Sequence, residues 1–229
     1  MLGDMPRRPR VATGGYVYHV LNRAVGRWQI FRKDEDFAAF EKIIGEVHER
    51  RPVRILSYSL MPNHWHLVLW PKGDGELSEF MRLLSVTHVQ RWHAHYRTAG
   101  TGPLYQGRFR SFPVQPDGNL LDVCRYVERN ALASGLVPRA EQWRWCSASQ
   151  REQTERPWLL KADLWPVPKP HSWLELLNTA LQGELQQRIA RSLERGCPLG
   201  DATWITEAAR RLSLDSTLHP RGRPRHPVG

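Results

Sequence analysis

The sequence predicts an α+β fold in which a four-stranded antiparallel sheet carries helices, followed by a helical extension and a flexible basic tail. The first observation is the order of the segments: strand-like and helix-like patterns follow one another as β-α-β-β-α-β-α over residues 16–132. The first six of these elements define the ferredoxin-like split β-α-β sandwich, with its helices on one face of the sheet. The second observation is that 41% of the 229 residues are hydrophobic, which suffices for a well-formed core.

Four short segments have the composition of β-strands, which favours Val, Ile and aromatic residues. They are residues 16–23, 53–60, 64–70 and 108–115. Pro62-Asn63 separates the second segment from the third and is a turn signal, so these two strands are expected to form an antiparallel hairpin. The fourth segment, RFRSFPVQ, alternates basic and apolar side chains, so Arg108 and Arg110 should share one face.

Three longer segments have the periodicity of amphipathic helices. They are residues 34–50, 76–97 and 118–132. In the first segment, Phe37, Phe40 and Ile44 recur at helical spacing. Asp34 is a candidate N-cap of this helix, and Pro52 ends it.

The composition changes after about residue 146, and WPVPKPHSW in this part of the chain is a linker rich in proline and tryptophan. Helix-like patterns follow at residues 172–194 and 203–213. The sequence therefore predicts a main domain over residues 12–146, a helical extension over residues 147–216 and a disordered basic tail over residues 217–229.

The chain has a formal net charge of +10 and an isoelectric point near 10.1. Such an excess favours a polyanionic partner, most often nucleic acid, and a merely basic soluble protein is the alternative. The three cysteines are far apart in the sequence, which indicates a reducing compartment and argues against a disulfide scaffold. No apolar run approaches the roughly 20 residues of a membrane span, and the N-terminus does not have the pattern of a signal peptide. We therefore expect a cytoplasmic, nucleoid-associated protein with no membrane partner.

The stretch MPNHWHLVLW at residues 61–70 places two histidines two residues apart in a predicted strand. Residues i and i+2 of a strand point to the same side, so His64 and His66 face one way and Trp65 faces the other. Trp65 is expected to pack under the helices, which leaves the two imidazoles on the open face of the sheet. There they can converge on one divalent cation, although two separately satisfied histidines are the more common explanation of such a pair.

The helix predicted over residues 118–132 carries Tyr126 and Asn130, whose spacing of four places them on the same helical face. The amide oxygen of Asn130 is a suitable ligand for Mg²⁺ or Mn²⁺. The phenol of Tyr126 can attack phosphorus once its proton is removed. Packing is the ordinary role of a tyrosine on an amphipathic helix, but other residues of this helix already supply apolar contacts.

Together these motifs resemble those of the HUH nucleases, in which two histidines flank a bulky apolar residue, here Trp65. RYVERNALASGLV resembles the single-tyrosine helix of insertion-sequence transposases, and the chain as a whole resembles the REP-associated tyrosine transposases. RPRVATGGYVYHVLNRA, LYQGRFRSF and PLGDATWITEAARRL support this resemblance in their order and spacing. One departure is that Asn130 is followed by Ala131, where the family usually has proline.

The resemblance implies an enzyme that nicks and rejoins single-stranded DNA containing hairpin-forming palindromic repeats. Tyr126 would be the nucleophile, and His64, His66 and Asn130 would hold Mg²⁺ or Mn²⁺, although this ligand set also suits zinc. The products would be a 5′-phosphotyrosine link and a free 3′-hydroxyl, so the reaction could reverse without ATP. Both a monomer and a homodimer are compatible with the resemblance.

Basic and polar side chains near the proposed site are candidates for contacts with DNA phosphates. They are Gln106, Arg108, Arg110, Arg125 and Arg129, together with Arg221 and Arg223 of the tail. The tail segment PRGRPR resembles the AT-hook, in which two arginines lie in an A·T-rich minor groove. A disordered basic tail with non-specific affinity is the alternative, and either form should help to hold DNA.

Two other functions stay open on the sequence alone. One is a DNA- or RNA-binding regulator that has lost catalysis, and the other is a metal-dependent nuclease in which water attacks and Tyr126 is structural. Among the other histidines, His19 on the first strand either supports the site or is a packing or exposed residue. His88, His93 and His95 are spread around one predicted helix, so we expect them at the surface or near DNA rather than as ligands.

Overall fold

A computed structural model describes residues 12–149 and 155–219 of the chain. Its sheet contains the strands β1 (Val17–Arg23), β2 (Arg54–Met61), β3 (His64–Trp70) and β4 (Arg110–Val114). The order across the sheet is β2-β3-β1-β4, and each neighbouring pair is antiparallel. This arrangement confirms the predicted split β-α-β sheet.

The hairpin between β2 and β3 turns at Pro62 and Asn63, as predicted, with Met61 opposite His64. The backbone N–H of Ile30 donates to the Pro62 carbonyl at 2.8 Å, which attaches the turn to the loop that follows β1. The first histidine of the pair therefore follows directly on a fixed turn.

Two long helices, α1 (Asp34–Arg50) and α2 (Glu76–Tyr96), cover the first face of the sheet. Trp65 is fully buried beneath them, and its ring lies 5.6 Å from the ring of Phe40 on α1. This position confirms that Trp65 and the two histidines beside it point to opposite faces of β3.

The first turn of α1 is capped differently from the sequence prediction. Asp34 is the first helical residue, and Lys33 occupies the N-cap position. The Asp36 carboxylate reaches back to the chain before the helix, where it accepts from the backbone N–H of Lys33 at 3.2 Å and of Arg32 at 2.8 Å. The prediction of Asp34 as N-cap is therefore wrong, because Lys33 has that position and the side chain of Asp36 accepts from its backbone N–H.

Helices also cover the second face of the sheet, so the prediction of an open face is wrong. The helices after β4 are α3 (Gly118–Glu128), α4 (Asn130–Ala133), α5 (Trp173–Asn178), α6 (Gly183–Arg195), α7 (Ala202–Arg211) and α8 (Asp215–Leu218), and α3, α5 and α6 contribute to the core on this face. A second hydrophobic core joins Val68 and Phe112 of the sheet to Leu120 of α3 and to Leu177 and Ile189 of the extension. The extension therefore shares a core with the main domain.

Several element boundaries differ from those predicted. The helix predicted over residues 118–132 divides into α3 and α4 at Arg129, whose backbone lies at φ −92° and ψ 7°. The strand predicted from Arg108 begins at Arg110, which leaves Arg108 in the preceding loop. Helix α8 ends at Leu218, beyond the boundary predicted at residue 216.

Short 3-10 turns lie between these elements at Val25–Arg27, Ala140–Gln142 and Ala162–Leu164. In the part of the chain that the structure describes, no helix has the length and apolar character needed to cross a membrane.

Candidate active site

His64 and His66 lie side by side on β3 and point to the second face of the sheet. Their ring centroids are 5.0 Å apart. His66 is only 1% exposed, and His64 is half-buried. The two imidazoles therefore come together as predicted, but in a covered site rather than on an open face.

Each of these imidazoles is held through its Nδ1 atom. The Nδ1 atom of His64 donates to the amide oxygen of Asn63 at 2.6 Å. The Nδ1 atom of His66 lies 2.9 Å from Nε2 of His19, a fully buried histidine of β1. These contacts leave the Nε2 atom of each ring for another partner.

Asn130 provides that partner from above the sheet. Its side-chain amide lies 3.4 Å from His66 Nε2 and also acts as a hydrogen-bond partner of His64 and Tyr126. The ring of Tyr126 meets the ring of His66 edge-on, with their centroids 5.7 Å apart. Four residues from two separate motifs thus lie together at one point.

The backbone around α3 explains how the second motif reaches this point. Helix α3 begins where the Asp117 carboxylate accepts from the backbone N–H of Asn119 at 2.8 Å, which is an N-cap interaction. The interruption at Arg129 makes Asn130 the first residue of α4 and Ala131 the second. Either alanine or proline fits the first turn of a helix, where N–H groups have no acceptor within the helix. The interruption therefore persists without the usual proline.

Burial makes this site favour neutral groups. It lowers the pKa of His64 to about 4 and the pKa of His66 well below its ordinary value. Both imidazoles are therefore neutral at pH 7 and have lone pairs that can bind a cation. Burial also raises the pKa of the Tyr126 phenol, and the charge of Arg23 and the hydrogen bond to Asn130 oppose this shift. The phenol is thus protonated at rest and must lose its proton before it can act as a nucleophile.

Two imidazole nitrogens and one amide oxygen are a donor set that fits a divalent ion. The amide of Asn130 directs its nitrogen at His66, and a half-turn of this group would place its oxygen there instead. Across residues 12–149 and 155–219, no three His, Cys, Asp or Glu side chains are grouped so that they could hold a metal. A metal at this site would therefore need Asn130, and substrate oxygens or water could complete its coordination.

A basic cleft of about 390 Å³ is lined by the end of β1 and the loop that precedes β4. Gln106, Arg108 and Arg110 line this cleft, so three of the predicted DNA contacts lie together. Arg23 lines it as well and lies opposite His64 in the register of β1 and β3. The backbone N–H of Gln106 donates to the Arg23 carbonyl at 2.9 Å, which attaches the loop to β1. Arg23 therefore lies between the basic cleft and the histidine site.

Arg23 is a residue of the site that the sequence prediction missed. Its charge lowers the pKa of His64, His66 and Tyr126. Its Nε atom is buried and has no hydrogen-bond partner within the described residues. The available signal was the strand itself, because Arg23 lies four residues after His19 and so points to the same face.

Arg125 and Arg129, two other predicted DNA contacts, instead bind the extension. Arg125 donates to the Leu176 carbonyl at 3.0 Å, and Arg129 donates to the Leu177 carbonyl at 3.2 Å. Arg129 is buried as well. These guanidinium groups hold α5 against the helix of Tyr126.

Glu128 lies between these two arginines and is fully buried. Its carboxylate accepts from the hydroxyl of Ser147 at 2.7 Å and from Nε1 of Trp173 at 2.7 Å. Lys169 lies 3.6 Å from the same carboxylate. The last turn of α3 is thus bonded to the extension through Glu128 and both neighbouring arginines. Arg221 and Arg223, the remaining predicted DNA contacts, lie outside the described residues.

His88 shows that one histidine prediction is wrong. This residue of α2 is buried under the first face rather than at the surface, and burial lowers its pKa to about 3. Its Nδ1 atom accepts from the hydroxyl of Tyr105, which accepts in turn from Nε1 of Trp65 at 2.9 Å. His88 therefore belongs to a buried hydrogen-bond chain that supports β3 from the side opposite the site.

A family model described as transposase, IS200-like, matches residues 13–130, which include β1, the two histidines, Tyr126 and Asn130. The chain therefore belongs to the IS200-like transposase family.

One solved structure has a similar fold, and a second was matched at a lower TM-score. A REP-associated tyrosine transposase bound to a REP hairpin is similar with a TM-score of 0.51 and 18% sequence identity, over 62% of this chain and 82% of that chain. A protein described as a transposase from Deinococcus radiodurans R1 has a TM-score of 0.39 and 18% identity, over 48% of this chain and 86% of that chain. The comparison with curated proteins gave no match.

Proposed function

We propose that this IS200-like transposase is of the REP-associated tyrosine type, and that it nicks and rejoins single-stranded DNA through Tyr126. The observation that carries this proposal is the meeting of Tyr126 with His64, His66 and Asn130. Asn130 is 3.4 Å from His66 Nε2, and the ring of Tyr126 is 5.7 Å from the ring of His66. A nucleophile and a set of metal ligands within one small volume are the two parts that phosphoryl transfer requires.

The proposed reaction exchanges one phosphoester bond for another. The phenol of Tyr126 loses its proton, and its oxygen attacks the scissile phosphorus in line with the 3′ oxygen of the preceding nucleotide. The bond from phosphorus to that oxygen breaks, and the oxygen takes up a proton and becomes a free 3′-hydroxyl. The DNA downstream stays joined to Tyr126 as a 5′-phosphotyrosine, which a 3′-hydroxyl can attack to reseal or join strands. No ATP is needed because each step keeps the number of phosphoester bonds constant.

His64, His66 and Asn130 would hold a divalent ion, Mg²⁺ or Mn²⁺. Such an ion, when bound, would polarise the phosphate and stabilise the charge that develops on its oxygens. The protein's own contribution is to keep both imidazoles neutral through burial and to fix each ring through Nδ1. Arg23, beside the same residues, would bind the phosphate or stabilise the phenolate of Tyr126.

The proposed substrate is single-stranded DNA next to a hairpin-forming palindromic repeat. The net charge of +10 and the basic cleft of Arg23, Gln106, Arg108 and Arg110 support a polyanionic ligand. The REP-associated transposase of similar fold was solved with a REP hairpin. Both a monomer and a homodimer are compatible with this proposal, and a chromosomal repeat as substrate would place the protein at the nucleoid.

A covalent-adduct assay tests this function. Single-stranded hairpin oligonucleotides labelled at either end are incubated with the protein and Mn²⁺ and then separated on a denaturing protein gel. We expect a labelled protein band that carries only the downstream DNA and that is absent in Tyr126→Phe and His64→Ala. Cleavage that persists in Tyr126→Phe without an adduct would instead indicate a nuclease that uses water. Binding without cleavage of any hairpin would indicate a regulator.

A further inference from the structure

We propose that His19 is a positioning residue that sets the tautomer and ring orientation of His66 and so prepares it to bind the cation. This inference rests on the proposed function, because it gives His19 a task only if His66 is a metal ligand. It assigns a role to a buried polar side chain that the proposed chemistry does not otherwise use.

The position of His19 is specific. It lies in the middle of β1, opposite Val68 of β3, and is fully buried under α3. Its Nε2 atom is 2.9 Å from Nδ1 of His66, and the two ring centroids are 5.1 Å apart. The ring of Phe112 packs against it at 5.0 Å, and the ring of Tyr126 lies edge-on at 6.2 Å. His19 therefore contacts His66 from the side opposite Asn130.

The contact between the two rings holds a single hydrogen, because two ring nitrogens 2.9 Å apart form a hydrogen bond in which one donates and the other accepts. If Nδ1 of His66 donates to His19, the Nε2 atom of His66 keeps its lone pair and can bind a cation. If Nε2 of His19 donates to His66, the hydrogen of His66 lies on its own Nε2 and blocks coordination. The direction of this one hydrogen bond therefore decides whether His66 can act as a ligand.

The second ring nitrogen of His19 explains why a bound cation can determine which of the two histidines donates the hydrogen bond. Its Nδ1 atom is buried and has no hydrogen-bond partner within residues 12–149 and 155–219. When His66 donates, His19 must carry its hydrogen on this unpartnered nitrogen, and when His19 donates, the same nitrogen is an unpartnered acceptor. Neither arrangement satisfies His19 fully, so the bound cation selects the arrangement in which His66 is a ligand.

His64 offers an internal comparison. Its Nδ1 atom donates to the amide oxygen of Asn63 at 2.6 Å, a partner that can only accept at that atom. The tautomer of His64 is thus fixed with or without a cation, whereas that of His66 depends on another histidine. We infer that replacing His19 by a side chain with a fixed acceptor should preserve the ligand, and that removing the acceptor should weaken it.

The test measures Mn²⁺ affinity of the full chain without DNA, by calorimetry or by electron paramagnetic resonance. His19→Phe keeps the ring packing against Phe112 but removes the acceptor, and we expect its dissociation constant for Mn²⁺ to rise about 10–100-fold. His19→Gln places an amide oxygen near the position of Nε2 and so keeps an acceptor for His66. We expect its dissociation constant for Mn²⁺ to stay within about threefold of the wild-type value.

His88→Gln is the matched control, because His88 is an equally buried neutral histidine on the other face of the sheet. We expect His88→Gln to lower the free energy of unfolding and to leave Mn²⁺ affinity unchanged. A loss of Mn²⁺ affinity in His19→Phe but not in His88→Gln is then not explained by lost stability. If His19→Phe and wild type bind Mn²⁺ with equal affinity while His64→Ala does not bind it, the role of His19 is overturned and the proposed metal site is not. A wild-type protein that does not bind Mn²⁺ would overturn both this role and the proposed metal site.

A second measurement needs no substitution and so does not depend on the variants folding. A long-range ¹H–¹⁵N correlation spectrum of the wild-type protein with Mg²⁺ reports which nitrogen of each imidazole carries hydrogen. We expect His66 to be protonated at Nδ1 and His19 at Nδ1. A His66 ring that carries its hydrogen on Nε2 in the presence of Mg²⁺ would contradict the proposal.

Discussion

Trp173 donates a hydrogen bond of 2.7 Å to the carboxylate of Glu128, two residues after Tyr126. The bond joins the extension to the helix that carries the proposed nucleophile. Glu128 is fully buried, so its carboxylate depends on Trp173, Ser147 and Lys169 for compensation of its charge. The extension is therefore part of the support of the site.

Removing this donor should destabilise the protein. Trp173→Phe keeps the apolar ring but leaves one oxygen of the buried carboxylate without its partner. We expect the free energy of unfolding to fall by about 1.5–3 kcal/mol, the usual contribution of a hydrogen bond to a charged group. Urea unfolding measures the change. Trp28→Phe is the control, because Trp28 is 67% exposed, and an equal loss in both variants would contradict the role of the Glu128 contact.

The proposed role of Asn130 as the third metal ligand depends on its amide oxygen, and substitutions that remove or keep this oxygen test it. Asn130→Ala removes the amide, and we expect Mn²⁺ affinity to fall by at least about tenfold. Replacing a residue that only hydrogen-bonds to a metal ligand already lowers metal affinity by about 10–100-fold. Asn130→Asp retains an oxygen at the same position and should bind Mn²⁺ at least as well as wild type. Calorimetry on the protein without DNA gives both constants. Unchanged affinity in Asn130→Ala would remove Asn130 from the ligand set.

The basic cleft should determine how DNA binding responds to salt. Arg108→Gln and Arg110→Gln each remove one positive charge that is proposed to bind a phosphate. The slope of log K against log salt for single-stranded DNA should become shallower by about 0.7 for each phosphate that the protein no longer neutralises. Arg50→Gln, at the end of α1, removes the same charge away from the cleft and is the control. If all three variants shift the slope alike, the cleft has no special part in binding, and the charge acts only through the net +10.

His88 should make stability depend on pH. Burial lowers its folded-state pKa to about 3 from an ordinary value of 6.5. The unfolded chain therefore takes up a proton below about pH 6.5 and the folded chain does not, so the stabilisation is present above pH 6.5 and is lost as pH falls toward 3.

The stability difference between wild type and His88→Gln measures this contribution, because the other titrating groups are common to both proteins. We expect it to shrink by about 2 kcal/mol between pH 7 and pH 5, from a limiting slope of about 1.4 kcal/mol per pH unit. Urea unfolding at a series of pH values follows the change. A difference that stays constant over this range would show that His88 is free to ionise in the folded protein.

The local patterns of the sequence predicted the sheet, and they predicted the faces on which the four residues of the candidate site lie. The alternation of His64, Trp65 and His66 determines which faces they occupy, and a spacing of four places Tyr126 near Asn130. These relations involve only residues close together in the chain. They survive even where the predicted helix is interrupted at Arg129.

The features that sequence reasoning missed depend on contacts between distant segments. Arg125 and Arg129 resemble surface charges by sequence, but the carbonyls that bind them belong to α5, about fifty residues later in the chain. His88 is buried because Tyr105, from another loop, supplies a partner. Arg23 joins the site because β1 pairs with β3 across the sheet. Periodicity in one segment contains no information about such pairings.

The most direct test of the proposed chemistry is to identify the amino acid that becomes joined to DNA. The wild-type protein is allowed to react with a hairpin oligonucleotide and Mn²⁺, the DNA is trimmed by nuclease, and the peptides are sequenced by mass spectrometry. We predict one modified peptide, with a 5′-linked nucleotide on Tyr126 and none on the other five tyrosines. A nucleotide attached to any other residue, or complete cleavage of the DNA with no modified peptide, would contradict the account.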